Sequence, residues 1–237
     1  MSLLDVRTWF VNDSGRYDLV TDATSYADNG ADKYIKAGLR WLDRQVTILN
    51  QQARMFRTLS IGNYLISLER CRSVENVYGR KEDGTVCGLT YRTMEELRRI
   101  FGKDFSEITD GLPVYFALTS LRQHDEAETD PPSTEGITSS DWRTTDGLLI
   151  MPPPNEEMVF VIDGHFDSPE LSANDDENFW TANEPGVLVK AALRELEVFY
   201  RNRSGVEDWT AALSGDLMGI EKDFIEKRYG HYNKLEG

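Results

Sequence analysis

The chain has 237 residues, 41 Asp and Glu against 26 Lys and Arg, and a net charge of −15. A hydrophobic content of 40% excludes a disordered chain. No apolar run exceeds five residues (Val114–Leu118, Met158–Ile162), which excludes a bilayer span of about 20 and a secretory h-region of about 7–15. Cys71 and Cys87 make neither a disulfide framework nor a C-x-x-C pair, so folding in a reducing compartment is expected. A pI near 4.6 argues against a protein that grips phosphate through a basic patch.

In chain order, Ser2–Phe10 reads as a short helix, and a loop rich in Asp, Ser, Thr and Gly follows up to Gly30. Ile35, Leu39, Leu42, Val46 and Leu49 recur at three- and four-residue spacing and predict an amphipathic helix over Asp32–Asn50. The period then changes. Residues 56–61 and 64–68 flank Gly62-Asn63 and predict one hairpin. Val74–Arg80 and Thr85–Tyr91 flank Asp83-Gly84, the type I′ dipeptide, and predict a second. Thr93 with Glu96 is a capping box opening a short helix with Met94, Leu97, Ile100 and Phe101.

Strands are predicted at Leu112–Leu121, Gly147–Met151 and Met158–Phe166, the last apolar on both parities and so buried on both faces. Arg122–Arg143, polar and acidic, reads as a protruding loop, and Pro152-Pro153-Pro154 should end its strand. Pro185 suits a helix's first turn, and Val189, Leu193, Leu196 and Tyr200 extend that helix. Ser204 and Glu207 form a further capping box. From there Val206, Trp209, Leu213, Leu217, Ile220 and Phe224 make a near-heptad seam, with Gly230 as the stop and 231–237 as a tail. The fold class is therefore α+β: a helical body (1–50 and 185–229), a middle β-rich portion (51–184) holding the acidic loop 122–143, and the tail 230–237.

The charge is concentrated. Asp104–Pro185 holds 19 acids and two bases, a net of −17, whereas the remainder has 22 acids and 24 bases, a net of +2. Such a run reads first as a solvated face and more sharply as a surface that repels nucleic acid. Asp125, Glu126, Glu128, Asp130 and Glu135 are its candidate surface or channel residues.

Chemistry is sparse. His124, His165 and His231 lie in separate segments. His165 and Asp167 could share a strand face, but two ligands do not make a metal site, and a satisfied strand histidine is the simpler reading. Residues 174–178 concentrate oxygen ligands without the spacing or central Gly of a calcium loop. Glu170 and Asp175 beside Phe179-Trp180 are the best acid pair for glycoside cleavage, with the aromatics stacking on sugar; the alternative is a loop anchored by those aromatics. The sequence has no P-loop, G-x-G-x-x-G or G-x-S-x-G. Neither a cofactor nor an enzymatic activity is expected.

A helical N-terminal half precedes Leu148-Leu149-Ile150-Met151-Pro152-Pro153-Pro154, the strand Phe160–Asp167, Leu171, Asn178-Phe179-Trp180, Pro185, a helix ending near Tyr200, Asp208-Trp209 and a long last helix. This order resembles the head-to-tail adaptor (connector) proteins of tailed bacteriophages over residues 147–229. The resemblance implies a structural protein of the virion neck, made and assembled in the host cytoplasm. It further implies a ring, commonly of twelve copies, docked beneath the portal and joined distally to a tail tube, nozzle or further adaptor. DNA would pass through it without specific binding during ejection, with no membrane involved. Connectors often engage the portal through a C-terminal segment, which nominates Phe224, Arg228, Tyr229, His231, Tyr232 and Leu235 for that contact. Two other classes stay open: a tail-associated cell-wall hydrolase and a non-catalytic binding module of another system.

Overall fold

The computed structural model describes residues 1–46, 51–68, 70–103, 105, 108–124 and 142–229. The class is α+β, with six α-helices and two four-stranded sheets among the described residues. The chain forms two units, residues 1–52 with 167–237, and residues 53–166. The second boundary falls at 166/167 and not at the expected 184, because Leu171 and Trp180 are buried in the core of the helical unit.

In that helical unit α1 (Leu3–Ser14) opens on a capping box: Asp5 N donates to Ser2 Oγ and Ser2 N donates to Asp5 Oδ2. It runs past the expected Phe10 and stops at Gly15, whose φ of +68° suits only glycine readily. Helix α2 (Ala31–Gln45) buries Ile35, Leu39 and Leu42, as its periodicity predicts. Val46 is buried too, in extended backbone just past the helix end; Leu49 lies outside the described residues.

Helix α4 (Phe179–Asn183), which no periodicity announces, is fixed by Asn178 capping Thr181. Helix α5 (Pro185–Phe199) begins with its proline in the first turn, as expected. The capping box expected at Ser204 is not the start of α6 (Arg203–Tyr229). Asn202 Oδ1 accepts from Gly205 N at 3.3 Å, directly after Arg201 turns the chain at a φ of +58°, so Ser204 already lies inside the helix. Leu213 and Leu217 of α6 are buried, and Trp209 and Ile220 pack partly against the same core. Gly230 and the tail lie outside the described residues.

The second unit pairs β1 (Gln52–Leu59), β8 (Met158–Phe166), β3 (Cys71–Arg80) and β4 (Val86–Gly88) in one sheet. The other sheet holds β2 (Leu65–Ser67), β7 (Trp142–Met151), β6 (Tyr115–His124) and β5 (Thr90–Tyr91). The first predicted hairpin is therefore wrong: Gly62-Asn63 does turn, with Asn63 N donating to Ser60 O at 3.1 Å, but it passes the chain from one sheet to the other.

The second hairpin forms, with a different turn. Only Gly84 has positive φ (+85°), and the bonds Gly84 N to Lys81 O and Lys81 N to Thr85 O close a three-residue loop, whereas type I′ needs positive φ at both central residues. Its second strand divides at Leu89, with β5 joining the other sheet. The loop expected at 122–143 is shorter, because β6 and β7 stay paired out to His124 and Trp142; residues 125–141 lie outside the described residues.

Between the sheets Val77, Phe160 and Ile162 meet Ile66, Phe116, Leu148 and Ile150. The alternate residues Leu149 and Met151 face the other way, where α3 (Met94–Phe101) covers them with Leu97. Helix α3 opens on the predicted Thr93–Glu96 box. Pro153 and Pro154 donate nothing to a ladder, yet their carbonyls accept from Gly111 N (2.7 Å) and Gly62 N (3.0 Å).

Candidate functional site

Several of the chemical candidates are engaged in holding the fold. His165 sits on β8, its Nδ1 3.1 Å from Ser73 Oγ and 3.5 Å from Glu75 Oε1. It is a satisfied strand histidine. Asp167 follows the end of β8 and belongs to the helical unit, so the two do not share a strand.

The oxygen-rich run 174–178 closes on itself and on α1. The carbonyls of Asn174 and Asp176 accept from Leu4 N and Leu3 N, satisfying orphan amides at the start of that helix. Asn174 Oδ1 takes one bond from Arg7. The Asp176 carboxylate accepts from Ser172 N (2.6 Å) and Ala173 N (2.8 Å), which holds its pKa below the usual carboxylate range. No group of three or more His, Cys, Asp or Glu side chains is placed to hold a metal among the described residues.

The sugar-stacking arrangement does not exist. Trp180 is 0% exposed and Phe179 is partly buried against the core, while Glu170 and Asp175 face solvent. The aromatics anchor the loop. A shallow cleft of 420 Å³ lies beside Phe179, between Gln51, Ser168 and Asn183, but its polar groups are engaged. Asn183 Nδ2 donates to Phe179 O at 3.2 Å, and Gln51 and Ser168 both serve Asp43.

Asp43 is the residue that sequence reasoning missed. Its carboxylate, 2% exposed, accepts from Trp180 Nε1 (2.9 Å), Ser168 N (2.9 Å), Ser168 Oγ (2.7 Å) and Gln51 Nε2 (3.2 Å). Arg7 is a second buried hub. It forks onto Asp32 at 2.7 and 2.9 Å and donates to Tyr26 O and Asn174 Oδ1. The only signal for either is a charge at a helix position whose neighbours on the same face are apolar.

Exposed apolar side chains are spread over both units, among them Phe56, Ile61, Val86 and Phe199, and α6 adds Met218 and Ile225. From Glu221 to Lys227 no residue of α6 is buried, Phe224 being half-buried and Ile225 54% exposed, and Met218, just before Ile220, is 71% exposed. Met218 and Ile225 stand one heptad apart, about 100° around the helix from the Leu213–Leu217 seam. The seam pattern in the sequence does not show them. Of the residues nominated for portal contact, Phe224, Arg228 and Tyr229 belong to the last turns of α6, while His231, Tyr232 and Leu235 lie outside the described residues. The acids Asp125, Glu126, Glu128, Asp130 and Glu135 lie outside them as well.

No helix among the described residues is long and apolar enough to cross a membrane. No protein-family model matches the chain, and no curated protein matches its sequence.

Proposed function

We propose that this chain is a structural head-to-tail adaptor of a tailed bacteriophage, acting without catalysis. It would assemble as a ring, commonly of twelve copies, below the portal and pass DNA from capsid to tail. The observation that carries the reading is the end of the chain. Helix α6 continues for two turns beyond its last core contact at Ile220, presenting Phe224, Ile225 and, nearer the core, Met218. A helix end of this kind needs a partner to bury it, and aromatic and Met side chains are enriched at interface cores.

Two further features support the reading. Trp180, the ring that a glycosidase site would stack on sugar, is buried and bonded to Asp43, so it is committed to the core. The net charge of −17 over residues 104–185 disfavours counterion-release binding to DNA, so a duplex could slide past. The virion neck is the corresponding location, with the portal and a distal tail component as partners.

Deleting residues 231–237 together with Met218→Asp and Ile225→Asp tests the reading. The subunit should remain folded, since Met218 and Ile225 are exposed, and its incorporation into portal-bearing heads should fall at least tenfold. Unchanged incorporation would contradict docking through this end of the chain.

A further inference from the structure

Helix α6 carries a second seam on its outer side. Asp208, Ala211, Gly215, Met218, Lys222 and Ile225 recur at spacings of 3, 4, 3, 4 and 3, a heptad pattern about 26 Å long, confined to about 100° of circumference away from the buried Leu213 and Leu217. All six are exposed. The glycines of this side, Gly215 and Gly219, weaken a helix relative to alanine. Their own subunit gives no reason for them, since a Cβ at either would meet nothing within 4 Å. Bare backbone on an outer face suits the close approach of another helix.

The charges of the seam identify that helix. Asp208 and Lys222 stand two heptads apart, and neither forms a salt bridge among the described residues. When the seam is laid antiparallel on a copy of itself, with the two-fold axis between Gly215 and Met218, Met218 sits over Gly215 of the partner subunit and Lys222 over the partner's Ala211. Asp208 then lies three residues, about 4.5 Å along the axis, from the partner's Lys222, and symmetry makes that attraction twice. A parallel pair would instead set Asp208 on Asp208, Lys222 on Lys222 and Gly215 on Gly215, opposing like charges and leaving a hole.

We infer that the outer seam of α6 is an interaction surface for the same seam of a second copy, packed antiparallel. The contact is isologous, so it closes at two copies and does not itself propagate into a ring. It goes beyond the adaptor reading and describes the free protein: the pair covers Met218 and Ile225, and it must open before those residues reach a portal.

The 237-residue chain is sedimented alone, with no portal, at concentrations up to roughly 1 mM, which captures a weak contact. The wild type should pass from one 27.0 kDa copy to two as concentration rises. Asp208→Lys and Lys222→Glu should each weaken the dimer at least tenfold by placing like charges together. D208K/K222E should restore it, because the attraction is then only reversed in sign. Both positions are exposed, so circular dichroism should be unchanged in all three variants. A wild type that stays monomeric would overturn the inference. So would single reversals that pair as the wild type does, which is the result expected of a parallel pair or of a contact elsewhere. The portal test is separate: a monomer that still joins portal-bearing heads overturns this contact alone, and a dimer that never joins them overturns the adaptor reading alone.

Discussion

Asp43 and Trp180, 137 residues apart, meet in a buried hydrogen bond of 2.9 Å from the indole to the carboxylate. The bond ties α2 to the segment between the last strand and α5, and it explains why 167–184 folds with the helices. Trp180→Phe keeps most of the ring's packing and removes the donor, leaving a buried carboxylate one partner short. Urea unfolding should report a loss of about 1–3 kcal/mol. A change under 0.5 kcal/mol would mean that the other three donors to Asp43 suffice.

Helices α2 and α5 approach at Gly38. A Cβ there would lie 2.7 Å from Ala192 N and 2.8 Å from the Ala191 carbonyl carbon, both backbone atoms that cannot swing aside. Ala is the better helix former at an unconstrained site by about 1 kcal/mol. Gly38→Ala should nonetheless destabilise by about 1–3 kcal/mol, because overpacking forces the two helices apart. An increase in stability on thermal unfolding would refute that close approach.

The loop between α1 and α2 is organised by Asp22. Its Oδ1 accepts from Thr24 N (2.8 Å) and Ser25 N (2.7 Å), and Oδ2 accepts from Ser25 Oγ. Hydrogen bonds from the Ser25 hydroxyl and amide, then from Thr24 N, lower its pKa from 3.8 to about 2. A depressed carboxylate stabilises the folded loop above its ordinary pKa, and that contribution fades as pH falls from about 3.8 toward 2. By NMR the Asp22 carboxyl should still be ionised at pH 3. Half-titration near 3.8 would show the three bonds absent in solution.

The helices are largely legible in the sequence because their signals are local. The face of Ile35, Leu39 and Leu42, the first-turn Pro185 and the Thr93–Glu96 box each act within a few residues. Sheet partnership is not local. Nothing within 56–68 says that β1 pairs with β8 while β2 pairs with β7, and the turn at Gly62 fits either outcome. The Asp83-Gly84 turn was misjudged because the dipeptide serves both type I′ and the three-residue loop, and the φ of Asp83 decides between them. Asp43 looked like an ordinary surface acid, since its partners Gln51, Ser168 and Trp180 come together only by tertiary folding.

The adaptor account is tested most directly by mass. The 237-residue protein is mixed with purified portal rings, and the mass of the resulting particles is compared with that of the rings alone. The account predicts a discrete added mass of many 27.0 kDa copies per ring, matching the portal's symmetry and commonly twelve. Rings that gain no mass at concentrations saturating for a micromolar contact would contradict it.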